Sequence, residues 1–370
     1  MPAVSNEIIS RFKDFWDGRN ADVLMNVVYN KDKKSAADAG LMKPWMEGSA
    51  GWLFARAVLR ANETGSLGAV REALDVIEFN LEREGYAAEG FPDVSLNTGA
   101  GCVAAFITGY ARFYSETVWF ELERPWPYEK ILAFPFNHTT PFAETTLEAV
   151  RIAAERFAGR AVVSPLDLGG LADVLSSLRR TDGFFYDMID NPNEVKEALR
   201  VVRGIWKNFH DRMAAILAEA NGGLHSSWTR TLSDTLYYPS QCDACAMISP
   251  AMFDEFIWPT LNEEFNDYDK TLYHLDGSGE IPHLETLCSN PALRVIQWVP
   301  EPALCQHDES YLPLYKKIIG LGRKITFNGF KGTREDLKKF LKILPREAFY
   351  ITIWANDYDD AMRWLEAAGR

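Results

Sequence analysis

The stretch Lys270-Thr271-Leu272-Tyr273-His274-Leu275-Asp276-Gly277-Ser278-Gly279-Glu280-Ile281-Pro282-His283-Leu284 runs from apolar, β-favouring residues into two glycines and then a proline. Lys270 to His274 reads as a short buried strand, Gly277 and Gly279 permit a tight turn, and Pro282 suits the first turn of a following helix. Successive side chains of a strand alternate between its faces, so a strand that persists to Asp276 projects His274 and Asp276 to the same side. A carboxylate in that place can fix the tautomer of the imidazole and raise its basicity, or the two can share a divalent cation as nitrogen and oxygen ligands. The same spacing serves a second reading, in which Asp276 caps the helix and His274 is a packed, hydrogen-bonded histidine. Both readings stand, because a single His-x-Asp names no fold.

Outward from this stretch, β-favouring runs alternate with helical ones. Strands are expected at Val23–Tyr29, Asp93–Asn97, Ala161–Asp167, Leu224–Trp228, Thr271–His274, Arg294–Val299, Lys324–Asn328 and Phe349–Trp354, with Thr117–Glu121 a further short β-prone segment and Tyr237–Cys245 extended but unassigned. Eight strands, most followed by a helix, are the count of an α/β fold of the (β/α)8 TIM-barrel type. An open doubly wound sheet would normally place a glycine-rich turn after its first strand, and Tyr29 to Ala37 has none. Ser5 to Asp17 carries apolar residues at helical spacing and makes an N-terminal helical extension, while Met42–Val58 and Leu67–Arg83 form a helical layer. The chain is therefore expected to be one domain over residues 1–370, with 1–90 its N-terminal strand and helical layer and 91–370 the rest of the barrel. Barrels of this kind carry their chemistry at the C-terminal ends of the strands, which gathers Asn97, Asp167, Trp228, His274, Asp276, Gln297, Asn328 and Asn356 around one mouth. Gly99-Ala100-Gly101 is a small-residue turn and not a phosphate loop, since neither a third spaced glycine nor a Gly-Lys-Ser/Thr ending follows.

Composition narrows the function classes. Of 370 residues 47% are hydrophobic, which supplies a large core and excludes a disordered chain. The net charge of -13 opposes general binding to nucleic acid or to an anionic membrane, both of which need a basic footprint. Met1 to Asn20 lacks the basic and apolar regions of a signal peptide, so the expected location is the cytoplasm. Five cysteines, Cys102, Cys242, Cys245, Cys288 and Cys305, are an odd, sparse set that suits a reducing compartment. Cys242-Asp243-Ala244-Cys245 has the spacing of a redox or zinc pair, but no second pair accompanies it. No zinc knuckle is expected, the sharper alternative being a thiol pair that joins His274 at a metal through folding.

Arg11–Trp16, Gly101–Phe106, Glu116–Phe120, Asp167–Gly170, Met247–Phe253, Tyr273–Gly277 and Ile296–Pro300 together resemble the uroporphyrinogen decarboxylase superfamily over nearly the whole chain. The resemblance is to decarboxylase-like proteins in a barrel family that also includes methyltransferases serving corrinoid proteins and coenzyme M. It implies a (β/α)8 barrel with its site at the mouth. The sequence has no counterpart of the arginine-rich N-terminal signature of the true decarboxylases, and it has His274-x-Asp276 where the methyltransferases have His-x-Cys. Oxygen in place of sulfur keeps a cation but favours a harder one. The expected function is methyl or other one-carbon transfer on a small substrate, with His274, Asp276 and Asp167 catalytic and with Asn97, Trp228, Gln297, Trp298 and Asn328 contacting the substrate. His274 and Asp276 would ligate zinc or another divalent metal, and a corrinoid, carried by a corrinoid protein, or a thiol would serve as methyl-group partner. The alternatives are a metal-independent decarboxylase, with Asp167 or Asp276 stabilising a protonated intermediate, and a non-catalytic barrel that holds a cyclic ligand between Trp228, Trp298 and Trp354.

Overall fold

The computed structural model describes residues 4–47, 52–113 and 118–370. Eleven strands are present among them: β1 Leu24–Asn30, β2 Glu84–Ala88, β3 Asp93–Ser95, β4 Arg112–Phe113, β5 Val118–Trp119, β6 Val162–Ser164, β7 Pro239–Gln241, β8 Thr271–Asp276, β9 Leu293–Val299, β10 Lys324–Phe327 and β11 Phe349–Ala355. Seven form one sheet in the order β2-β1-β11-β10-β9-β8-β7, parallel throughout except for the antiparallel pair β1·β2. A separate parallel pair joins β3 to β6, and β4 pairs antiparallel with β5. Helices fill the connections, the longest being Pro192–Ala220. The architecture is thus mixed α/β around a mostly parallel sheet.

Two apolar clusters follow the alternation of the strands. Met25 and Val27, Ile296 and Trp298, Ile325 and Phe327, and Ile351 and Ile353 belong to the large core. Leu24, Leu272, Val295 and Tyr350, of opposite parity, pack instead with Phe12, Phe15 and Trp16. Those aromatics are the buried stripe of the helix Asn6–Trp16, begun by Ser5, whose hydroxyl accepts from the Ile8 amide. Burial of each contributes about 1.5–3 kcal/mol. The expected N-terminal helical extension therefore closes the sheet's other face near the N-terminal strand ends, with Trp16 Nε1 donating to the Leu232 carbonyl at 2.8 Å.

Several expectations need correction, and one strand appears that the sequence did not suggest. Leu224–Trp228 is not a strand; among the described residues its only ladder contact is an isolated bridge between His225 and Ser233. Hydroxyls compete for the backbone's place there: Ser227, Thr229 and Thr231 hydrogen-bond in series at 2.8 Å, and the Arg230 amide turns back to the Ser227 carbonyl. β7, inside the unassigned extended segment, occupies the sheet position instead. The strand β2 was not foreseen, because Glu84-Gly85-Tyr86-Ala87-Ala88 has little β propensity; Gly85 is required, since a Cβ there would meet the Tyr29 ring at 2.2 Å. Met42–Val58 is not one helix but a short 3-10 turn at Pro44–Met46 followed by the helix Leu53–Thr64, with residues 48–51 outside the described part. Of the expected strand Thr117–Glu121, Val118–Trp119 is β5 and Thr117, like Glu116, lies outside the described residues.

The Gly99-Ala100-Gly101 turn has a packing role. A Cβ on Gly169 would lie 2.4 Å from the Gly101 Cα, so the turns after β3 and β6 meet backbone to backbone, and the Cys102 amide donates to the Asp167 carbonyl. Both glycines have positive φ, +89° and +82°.

Candidate functional site

Parallel pairing sets Gln241, His274 and Gln297 side by side on β7, β8 and β9. Each is held by a neighbour. His274 Nδ1 lies 2.7 Å from Gln297 Oε1, and Gln241 Nε2 donates to Asp167 Oδ1 at 2.9 Å. With the amide oxygen of Gln297 as acceptor, Nδ1 carries the imidazole proton, which leaves the lone pair on Nε2. Nε2 lies 3.9 Å from Asp276 Oδ2, so the same-side projection expected of His274 and Asp276 is present.

A third group completes the cluster. Asp243, at the turn after β7, brings a carboxylate oxygen to His274 and Asp276 such that the three ligand-capable atoms all lie within 4.8 Å of one another. The turn is fixed by Asp173 in the helix Leu171–Arg179: its carboxylate accepts from the Ala244 amide at 2.9 Å and from the Asp243 amide at 3.1 Å. The Asp276 amide is held in turn by Glu280, whose other oxygen accepts from the Tyr273 hydroxyl at 2.9 Å.

Asp243 and Asp276 thus stand at the imidazole with Asp167 nearby, and Asp173 and Glu280 lie behind them on the backbones they hold. Burial raises the Asp167 carboxyl above the ordinary range, against the opposing pull of the Gly169 amide and His274. Burial, then the nearby charge of Asp243, raises Asp173, and burial also raises Glu280. Asp243 is exposed at the surface, yet desolvation by its neighbours and the Asp276 charge raise its carboxyl against the pull of His274. Like charges crowded in partly dry surroundings favour either a shared proton or a bound cation.

The remaining expected residues are distributed as follows. Trp228 packs edge-on to His274, centroids 6.5 Å apart, and against Tyr238 at 5.7 Å, while its carbonyl accepts from Asn328 Nδ2 at 2.7 Å. Asn97 shapes the turn after β3 by accepting from the Gly99 amide at 2.9 Å. Trp298, expected to line the site, is instead buried on the opposite face of β9 against Tyr311, because it alternates with Gln297. Asn356 bonds Asp360 in the last helix at 2.9 Å and serves as a local helix-start contact. Sequence reasoning missed Asp243 and Asp173, and it gave no role to Gln241 or Glu280. Asp243 lies inside the Cys-x-x-Cys spacing, and its place at a strand end follows only from Pro239–Gln241, and not Leu224–Trp228, being the strand beside β8. Asp173, inside a helix, gave no signal.

All five cysteines are free, and Cys242 and Cys245 are buried. A recess of about 730 Å³ between the helices Pro141–Phe157 and Pro192–Ala220 is lined by exposed charge pairs such as Arg212 with Glu144 and contains none of these groups. Among the described residues no helix is long and apolar enough to cross a membrane. No family model and no curated protein matches the chain.

Proposed function

We propose that the chain is a (β/α)8-barrel enzyme that binds a divalent cation between Asp243, His274 and Asp276 and activates a small substrate there for methyl or other one-carbon transfer. The barrel reading is supported by eight parallel strands, β1, β3, β6 and β7 to β11, and by contacts where the two parallel sheets adjoin. On one side the Tyr238 hydroxyl accepts from the Leu168 amide at 2.6 Å and a Cβ on Gly170 would meet the Gln241 carbonyl at 2.2 Å. On the other, Arg230 lies 3.8 Å from both Asp93 of β3 and Glu84 of β2. The site then falls at the C-terminal strand ends, where such barrels do their chemistry.

The observation that carries the proposal is the convergence of one imidazole nitrogen and two carboxylates within 4.8 Å. An oxygen-rich set with a single imidazole and no thiolate suits zinc or a harder divalent ion. Such a cation supplies Lewis acidity toward a nucleophilic atom of the substrate. Gln297 orients the imidazole so that Nε2 faces the carboxylates, Asp173 and Glu280 hold the backbones that present Asp243 and Asp276, and the buried Asp167 carboxyl is held beside them by Gln241. A corrinoid protein or a thiol as methyl-group partner, and a cytoplasmic location, belong to the same proposal. One observation favours a second reading, metal-independent decarboxylation: Asp167 is held beside the site by Gln241 at 2.9 Å with its carboxyl raised by burial, which suits a group that stabilises a protonated intermediate while His274 acts as acid or base.

Elemental analysis of protein purified without added metal, followed by cobalt(II) titration, tests the first reading. One equivalent should bind, and His274→Ala and Asp276→Asn should each lose it while remaining folded. Equal cobalt binding in parent and variants overturns the cation site, and turnover of a carboxylated substrate by metal-stripped protein would select the decarboxylase.

A further inference from the structure

The loop Ser226-Ser227-Trp228-Thr229-Arg230-Thr231 is buried although every residue but Trp228 is polar. It is tied from several sides: the Tyr350 hydroxyl donates to the Arg230 carbonyl at 2.6 Å, Asn328 donates to the Trp228 carbonyl, and Tyr237 donates to Ser227 Oγ at 3.0 Å. The backbone of Arg230 is held at φ +55°. A rigid support therefore presents a guanidinium that is only 6% exposed.

That guanidinium has few bonds for its burial. Nη2 donates to the Asp93 carbonyl at 3.2 Å, while the carboxylates of Asp93 and Glu84 stand at 3.8 Å, beyond hydrogen-bond length. Nη1 is buried with no hydrogen-bond partner among the described residues. The two carboxylates stand beside the guanidinium without consuming its fork of donors, and Glu84 is itself engaged by the Tyr86 hydroxyl at 2.9 Å. A buried charge with an unpaired N–H is costly unless something pairs it, and the planar guanidinium matches a carboxylate in two parallel bonds. The indole of Trp354, at the end of β11, lies over the guanidinium at 4.7 Å and is itself 54% exposed, so it separates Arg230 from solvent. On the other flank Trp228, two residues before Arg230, reaches His274.

We infer that Arg230 is the specificity residue for a substrate carboxylate: the substrate is a small monocarboxylate whose acid group pairs with Nη1, whose body lies along Trp228, and whose far end reaches His274. This rests on the proposed function for the role of His274, but not for the anion contact itself. A carboxylate is favoured over phosphate because its planar pair of oxygens matches the guanidinium fork and because it brings one negative charge rather than two beside Glu84 and Asp93, whose own carboxyls burial raises. The indole of Trp354 must shift for the acid to enter.

The test is equilibrium binding of the straight-chain monocarboxylates from propionate to hexanoate, each against its neutral primary amide, followed by saturation-transfer NMR and calorimetry. Carboxylates should bind at least tenfold more tightly than amides, Arg230→Met should lose at least tenfold for the acids only, and Arg230→Lys should recover part of it. Acid and amide binding alike, binding of neither, or inorganic phosphate displacing the acids at equal concentration would each overturn the inference. The acid–amide comparison on the parent protein decides the matter even if Arg230→Met fails to fold. Repeating it on metal-stripped protein separates the two proposals: acid selectivity kept while added cobalt binds equally to parent and His274→Ala counts against the cation site alone, and cobalt binding that depends on His274 with no acid selectivity counts against Arg230 alone.

Discussion

Replacing Gln297 by Leu should weaken cation binding without touching any of the three proposed ligands. Gln297 is 4% exposed and its amide oxygen sits 2.7 Å from His274 Nδ1, so it sets both the tautomer and the ring orientation of the imidazole. Loss of an outer partner of this kind costs about 10- to 100-fold in metal affinity, or about 1.4–2.7 kcal/mol. Leu also strands the Nδ1–H in a partly buried place, at about 1–3 kcal/mol of stability. Gln297→Glu, by contrast, keeps an acceptor at Nδ1 and should hold affinity within tenfold of the parent. Cobalt(II) titration followed by visible absorption measures all three proteins, and urea unfolding measures their stability. Cobalt affinity within twofold of the parent in the Leu variant, or equal losses in Leu and Glu, would refute the orientation argument.

Two further outcomes follow from packing and charge elsewhere in the fold. Glu264, buried in the helix Trp258–Phe265 with Ser240 donating to it at 2.6 Å, has its carboxyl pushed up to about 7 by burial. The folded state then binds the proton that the unfolded chain releases near pH 4.5, so Glu264 costs stability progressively as pH rises from about 4.5 to 7, by about 3 kcal/mol in all. Glu264→Gln should remove that slope, being more stable relative to the parent at pH 8 than at pH 4.5; urea midpoints with parallel pH profiles would sink this. Gly170→Ala should destabilise by at least about 1–3 kcal/mol, since its Cβ would meet the Gln241 carbonyl at 2.2 Å and Asp173 Oδ2 at 2.4 Å, and it should lower cobalt affinity by displacing the turn that carries Asp243. An unchanged unfolding midpoint would show that the two segments do not meet as described.

Local chemistry made part of this protein legible from sequence. The strands β1, β8, β9, β10 and β11 are dense in β-branched and aromatic residues, and the helices Pro141–Phe157 and Pro192–Ala220 carry apolar residues at helical spacing, so short-range pattern alone determines them. The spacing of His274 and Asp276 is likewise a property of one strand, decided by its two-residue period. Elsewhere the outcome depended on distant segments. Leu224–Trp228 had strand-like residues, but hydroxyl bonding within the loop and anchors from Asn328 and Tyr350, over a hundred residues away, turned it into a buried loop. With that strand moved to Pro239–Gln241, Asp243 came to the end of a neighbouring strand and joined His274, a meeting set by sheet register and by Asp173 holding its amide. Trp298 went the other way, since alternation places it opposite Gln297 and only the inward choice of Gln297 assigns it to the core. A chain's period determines which side chains share a face; which face looks onto the site, and which partners arrive there, is decided only when the strands pair.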